Sequence, residues 1–114
     1  MRIPASPPSA ARLEHRISGA DANPYLVMTA LLAAIRKGLK EAAEPAAPIE
    51  QNAYDTHDGH LPISPDAALQ LFYDSAFAKE AFTPLGHKII CALKQAEIDE
   101  FAAEITPLER STYG

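Results

Sequence analysis

The chain has 114 residues, of which 47% are hydrophobic, and its formal net charge is −5. This composition is typical of a globular protein, and the length allows one small domain or part of a larger one. An acidic chain without a basic block repels phosphate backbones, which argues against nucleic acid as a partner. The most apolar run, residues 25–35, is shorter than the about 20 residues of a membrane-spanning helix, and the single Cys91 has no disulfide partner. We therefore expect a cytoplasmic protein that does not interact with membranes.

The N-terminal part of the chain predicts one or two strands. Residues 1–11 are rich in proline, which excludes a helix there. Residues 12–17 (RLEHRI) then alternate charged and less polar side chains with a period of two, which is typical of a strand. Because one strand cannot pair its own backbone groups, this strand needs a sheet that the rest of the chain does not provide.

The first predicted helix begins at Asn23 and Pro24, since asparagine is a good N-cap and proline suits the first helical position. Residues 25–35 are apolar nearly all round, so we expect the helix to be buried on most sides. Residues 36–44 are charged, and Pro45 should end the helix.

Further helices are predicted after a polar loop. Ser64 is the expected cap of a helix to about residue 73, and Ser75 is a candidate cap of a short one. Residues 84–86 (PLG) predict a break before a long helix with apolar residues at three- and four-residue spacing. Residues 106–109 (TPLE) predict a capping box. The expected fold class is a mostly helical α+β fragment, with about four helices and one or two N-terminal strands.

On a strand, Arg12, Glu14 and Arg16 share one face, while residues 13, 15 and 17 share the other. Arginine grips phosphate and carboxylate groups with a rigid fork, and glutamate is an oxygen ligand for a hard cation such as Mg²⁺. Arginines around a metal between phosphates are the usual layout of phosphoryl-transfer sites. The alternative is a solvated face whose charges have no ligand.

Three linked motifs carry a family resemblance. Residues 2–4 (RIP), 12–16 (RLEHR) and 22–26 (ANPYL), in this order, resemble the last conserved block of the glutamine synthetase family. The likeness continues to the C-terminal end, notably at residues 52–54, 61–62, 67–72, 85–86 and 106–113 and at Lys94, Glu97 and Phe101. The resemblance therefore implies the C-terminal part of the family's catalytic barrel.

The resemblance also implies an activity and a set of ligands. The family uses ATP and Mg²⁺ or Mn²⁺ to phosphorylate the γ-carboxylate of glutamate, and ammonia or an amine then displaces the phosphate. By this likeness Glu14 is a metal ligand, Arg16 contacts glutamate, Arg2 and Arg12 lie near the ATP phosphates, and Arg12 and Arg16 are catalytic. The turn at residues 19–23 and residues 52–54 are closer to the γ-glutamylpolyamine synthetase branch.

The resemblance implies that residues 1–114 form a partial catalytic domain. Residues 1–20 are the strand and loop segment with the site residues, and residues 21–114 are the C-terminal helices. The N-terminal β-grasp domain and most of the barrel are expected to be absent, together with most surfaces of the family's homo-oligomeric ring, a dodecamer. We therefore expect the isolated chain to be inactive. Two departures from the family pattern are Ala11, where a second arginine is usual, and a slightly shortened loop before Arg12.

Some residues admit other interpretations. Residues 57–60 (HDGH) could ligate a metal, but a solvated loop is favoured because further ligands at zinc spacing are missing. His15 and His87 are interpreted as packing or surface residues, and Cys91 as a small core residue. The alternative function is a non-catalytic helical module that binds an intact paralogue.

Overall fold

The computed structural model describes residues 3–49 and 61–113, and these residues are mostly helical, as predicted. A short 3-10 helix spans Pro8–Ala10. The α-helices of the described residues are α1 (Pro24–Lys40), α2 (Pro65–Asp74), α3 (Ala76–Ala81), α4 (Thr83–Ala103) and α5 (Pro107–Tyr113).

The predicted strand over residues 12–17 does not form within the described part of the chain. Glu14 carries an isolated β-bridge, and the residues on either side of it are irregular. The physical reason is the one that the sequence suggests, because a ladder needs a neighbouring strand and residues 3–49 and 61–113 contain none.

Capping side chains set the starts of three helices where the sequence predicts them. The Asn23 side chain accepts hydrogen bonds from the backbone N–H groups of Tyr25 and Leu26 at 3.0 and 3.4 Å. The hydroxyl groups of Ser64 and Ser75 accept from backbone N–H groups three residues further on, at 3.2 and 3.1 Å. Each cap satisfies backbone donors that the first helical turn leaves without an internal partner.

Helix α1 ends at Lys40, earlier than the predicted end near Pro45. Ala42 adopts the left-handed backbone region, with φ of 49°. The N–H groups of Ala42 and Ala43 donate to the carbonyl oxygens of Leu39 and Gly38 at 3.4 and 3.0 Å. These paired hydrogen bonds form a Schellman ending, which turns the chain out of the helix before the prolines are reached.

The predicted break at residues 84–86 is misplaced, because these residues lie in the first turn of α4. Thr83 begins α4, and its hydroxyl group accepts a hydrogen bond from the Gly86 N–H at 3.3 Å. The interruption falls instead at Phe82, between α3 and α4. Proline is compatible with a first turn because the N–H it lacks has no partner there.

Packing in the described part of the chain is confined to a small helical cluster. Helices α2 and α3 pack against each other and against α4, α1 contacts α3 alone, and α5 contacts no other described helix. Ala78 and His87, each 5% exposed, are the buried residues of this part. The His87 ring stacks on Phe72 at 4.9 Å, and its Nε2 lies 3.0 Å from the Phe72 carbonyl oxygen. His87 is thus a packing residue that joins α4 to α2.

The molecule is extended rather than compact. Its radius of gyration is 18.3 Å, whereas about 13 Å is typical of a compact domain of this length. No residue of α1 is buried, so the helix that the sequence predicts to be buried on most sides is covered on one side only. Among the described residues, no helix is long and apolar enough to span a membrane.

Candidate functional site

The candidate site centres on the segment that precedes α1. The Arg12 Nη2 donates a hydrogen bond to Glu14 Oε1 at 3.2 Å, so the guanidinium and the carboxylate lie on the same side of the chain. Arg12 is exposed and Glu14 is half-buried. An exposed ion pair of this kind adds little stability. Its significance is the chemistry it places together, namely a phosphate-binding cation and an oxygen ligand.

The neighbouring residues of this segment are open to solvent. Arg16 is exposed two residues beyond Glu14, and His15 is exposed between them. Leu13 and Ile17, which a strand would turn towards a core, are also exposed. The segment therefore presents its charged and its apolar side chains without a covering layer in the described part of the chain.

The segment is joined to the helical cluster by a turn and a cap. The Ala22 N–H donates to the Gly19 carbonyl oxygen at 3.2 Å, which closes the turn. Asn23 then caps α1 through its side chain. This local geometry follows from glycine and asparagine at their positions, and it joins the segment of Arg12, Glu14 and Arg16 to the start of α1.

The described residues do not form a complete metal site. No cluster of three or more His, Cys, Asp or Glu side chains suitable for a metal ion occurs in residues 3–49 and 61–113. Glu14 can supply one carboxylate oxygen, whereas Mg²⁺ takes about six oxygen ligands, some of them water. Among the described residues, Glu14 can therefore supply one ligand of a metal site, and the other ligands would have to come from outside them.

Several predicted site residues lie outside the described residues. Arg2, which the family resemblance places near the ATP phosphates, is one of them, and so are residues 52–54 and 57–60. The structure therefore brings Arg12 and Glu14 together, and Arg16 lies nearby in the chain. The positions predicted for Arg2 and for residues 52–54 and 57–60 stay predictions.

The contact between His87 and Cys91 is not among those predicted from the sequence. The Cys91 Sγ lies 3.9 Å from His87 Nε2 and 4.0 Å from Nδ1, one helical turn along α4. Cys91 is half-buried rather than fully in a core. The spacing of four residues on a helix is the signal that predicts such a contact.

Comparisons with known proteins match nearly the whole chain to one family. Residues 1–113 match the glutamine synthetase catalytic domain. The chain is 34% identical over 101 residues to gamma-glutamylethanolamide synthetase GlnA4 of Streptomyces coelicolor, covering 86% of this chain and 21% of that protein. It is 32% identical over 109 residues to gamma-glutamylputrescine synthetase PuuA of Escherichia coli, covering 96% of this chain and 23% of that protein. A glutamine synthetase of Methanosarcina mazei is 32% identical over 125 residues, covering 99% of this chain and 27% of that protein.

The chain belongs to the glutamine synthetase family, and its relatives include both glutamine synthetases and γ-glutamylamine synthetases. It spans about a quarter of the length of these curated relatives.

Proposed function

We propose that this chain supplies the C-terminal part of the catalytic domain of an ATP-dependent ligase. The enzyme joins the γ-carboxylate of glutamate to ammonia or an amine, through γ-glutamyl phosphate. The observation that carries the proposal is the pairing of Arg12 with Glu14 at 3.2 Å, in a segment where Arg16 follows two residues later. Membership of the glutamine synthetase family supports the reaction class.

Each charged residue has a role that its chemistry supports. Arg16 has the planar fork that suits the α-carboxylate of glutamate. Arg12, with Arg2, suits the phosphate oxygens of ATP, because a guanidinium stabilises charge that develops on the transferred group. Arg12 and Arg16 are thus the proposed catalytic residues, and Arg16 is also the proposed substrate-binding residue.

Glu14 is the proposed metal ligand. A bound Mg²⁺ or Mn²⁺ would offset negative charge on phosphoryl oxygens. Because Glu14 belongs to no cluster of three or more potential ligands among the described residues, the other ligands of such an ion have to come from elsewhere. In this chain, the Arg12 guanidinium lies 3.2 Å from the Glu14 carboxylate, so the proposed phosphate-binding cation and the proposed metal ligand are adjacent.

The acceptor is proposed to be an amine of the kind used by the γ-glutamylpolyamine synthetase branch, with ammonia as the alternative. The support is the sequence of the turn at residues 19–23 and the presence of γ-glutamylputrescine and γ-glutamylethanolamide synthetases among the relatives. Fusions of this chain to the N-terminal three quarters of the Escherichia coli γ-glutamylputrescine synthetase and of the Methanosarcina mazei glutamine synthetase are each compared with their parent enzyme in kcat/KM for putrescine, ethanolamine and ammonia. A shift of both fusions in the same direction has to come from this chain and decides between the acceptors.

The test uses a fusion of this chain to the N-terminal three quarters of the Escherichia coli γ-glutamylputrescine synthetase, compared with the isolated chain. The isolated chain should form no γ-glutamyl product, because one metal carboxylate and a few arginines cannot hold ATP and an acceptor in line. In the fusion, Glu14→Ala should weaken metal dependence and Arg16→Lys should raise KM for glutamate. Both should lower turnover roughly a hundredfold or more.

His15→Ala is the matched control, since His15 lies between the two residues in the same exposed segment. It should cost far less turnover than either variant. Equal damage from His15→Ala and Glu14→Ala, with the fold intact, would remove the basis for the metal role of Glu14. Product formation by the isolated chain, lost on Glu14→Ala, would show that the chain needs no partner.

A second function, a non-catalytic helical module that binds an intact paralogue, is favoured by one observation. Large apolar side chains are exposed on α1, α2, α4 and α5 of the described part of the chain. A module of this kind would bind the paralogue whether or not Glu14 and Arg16 are replaced, and the fusion would stay inactive with the natural residues in place.

A further inference from the structure

One face of α1 carries an exposed apolar stripe. Its residues follow each other at spacings of three, four, three and four, and they are Tyr25, Met28, Leu32, Ile35 and Leu39. Each is between 52% and 82% exposed. The stripe runs from Tyr25 to Leu39 of α1, which at about 1.5 Å per residue gives it a length of about 21 Å.

The stripe lies away from the one helical contact that α1 makes. Helix α1 contacts α3, and its half-buried residues on that side include Val27, Ala30 and Gly38. At 100° per residue, the five stripe residues cover less than a quarter of the helix circumference. Lys37 projects from the side of the helix that faces away from the stripe. Helix α1 is therefore apolar on two sides, and one of them has no cover in the described part of the chain.

The spacing of the stripe is that of a surface that packs against another element. Apolar residues that alternate three and four apart form the seam of packed helices. Five large exposed side chains in a row form a contiguous apolar surface of the kind that marks an interaction site. The charged residues of α1 are confined to its C-terminal part, so the first three turns carry no charge that would oppose burial.

A second copy of the chain is not the occupant that these observations favour. A twofold pair of α1 helices would cover the stripe but leave other apolar surfaces open. These include Leu85 and Phe101 on α4 and a groove of about 680 Å³ between α2 and α4. Apolar surface on several sides of the molecule requires a partner larger than one helix pair.

We propose that the stripe on α1 is the docking seam for a polypeptide segment that carries the remainder of a glutamine synthetase catalytic domain. The proposal rests on the proposed function and names the partner surface that it requires. The relatives are about four times as long as this chain, so the family's domain contains enough additional chain to cover the stripe and the groove together. The stripe then forms the buried contact between the remainder of the catalytic domain and the helical cluster.

The experiment co-expresses the full chain with tagged Escherichia coli γ-glutamylputrescine synthetase that lacks its C-terminal quarter. That truncated partner is first shown to reassemble with its own missing quarter. Sedimentation and light scattering should then show a one-to-one complex with this chain. Leu32→Glu, at the centre of the stripe, should weaken binding at least tenfold, because it places a charge in the apolar contact.

Lys37→Glu is the matched control on the opposite side of α1. It introduces the same side chain into the same helix, although it also replaces the ion pair of Lys37 with Glu41 by two like charges one turn apart. Circular dichroism therefore first checks that each variant keeps the helix content of the natural chain. Lys37→Glu should bind as the natural chain does, and Leu32→Met should retain binding. Equal binding of Leu32→Glu, or no complex with the natural chain, overturns the proposal. A dimer of the chain alone that Leu32→Glu dissociates overturns it in favour of a second copy.

Binding and turnover are measured separately, so the two proposals can fail independently. A complex that needs Leu32 but makes no product leaves the docking seam in place and removes the catalytic function. Product formation that Leu32→Glu does not reduce leaves the function in place and removes the seam.

Discussion

Ala42 ends α1 in a backbone conformation that glycine adopts more easily. With φ of 49°, its Cβ is held close to the following carbonyl, which costs about 1 kcal/mol or more for an L-residue. Ala42→Gly should therefore raise the free energy of unfolding of α1 by about 0.5–1 kcal/mol, after allowing for the greater freedom of glycine in the unfolded chain. Urea titration followed by circular dichroism at 222 nm measures the change.

Ala34→Gly provides the control, since it makes the same substitution inside α1. There the glycine should destabilise the helix by about 0.5–1 kcal/mol, the opposite sign. A loss of stability in both variants would mean that the chain does not leave α1 through a left-handed residue at position 42.

At the residue scale, the contacts that could be predicted join residues that are close together in the sequence. The Asn23, Ser64 and Ser75 caps each act within three residues, and the sequence predicts all three. The proximity of Arg12 and Glu14 follows from a spacing of two. The contact of His87 with Phe72 joins residues fifteen apart on two helices, and no local pattern predicts it.

At the element scale, helix starts are predicted better than helix ends. A start depends on one cap and the next few residues, whereas the end of α1 depends on a backbone conformation that alanine seldom adopts. The strand over residues 12–17 was predicted from its alternation alone, and the described residues lack the neighbour that would complete a ladder. Alternation thus identifies a segment suited to a sheet, while the formation of that sheet depends on chain elsewhere.

The start of α5 should respond to acid. The predicted capping box is confirmed: the Thr106 N–H and hydroxyl donate to the Glu109 carboxylate at 2.8 and 2.9 Å, and the Glu109 N–H donates to the Thr106 hydroxyl at 3.2 Å. The backbone hydrogen bond from Thr106, and then the one from its side chain, lower the pKa of Glu109 below its ordinary value. The charged form thus favours the helical state.

Because the pKa is lowered in the helix, the contribution of Glu109 is complete above the ordinary glutamate pKa and is lost as the pH falls through the lowered value. We expect α5 to fray in that acidic range, since it contacts no other described helix. Carbon chemical shifts of residues 107–113 measure the loss. In the Glu109→Gln variant, the helix content of α5 should depend less steeply on pH. If the variant instead shows the same pH dependence as the natural chain, the effect belongs to another group.

At the scale of the whole molecule, the described helices do not enclose a core. Two buried residues, Ala78 and His87, are far fewer than a stable domain needs, and four of the five α-helices, namely α1, α2, α4 and α5, leave large apolar side chains exposed. The sequence predicts the apolar content and the helices, but not which faces stay open. That depends on the partner surfaces, and the family relatives are about four times as long as this chain.

The isolated chain should therefore behave as an open assembly of helices. We expect strong binding of the dye ANS, or aggregation, because the apolar stripe on α1 and the groove beside α4 are both accessible. Small-angle scattering of any monomer should give a radius of gyration near 18.3 Å, between the about 13 Å of a compact domain and the about 30 Å of an unfolded chain. The fusion that supplies the rest of the catalytic domain is the control, and it should bind much less dye per chain. A compact monomer that melts in one sharp cooperative transition without binding dye would contradict this account, since such a chain would have closed its apolar faces without a partner.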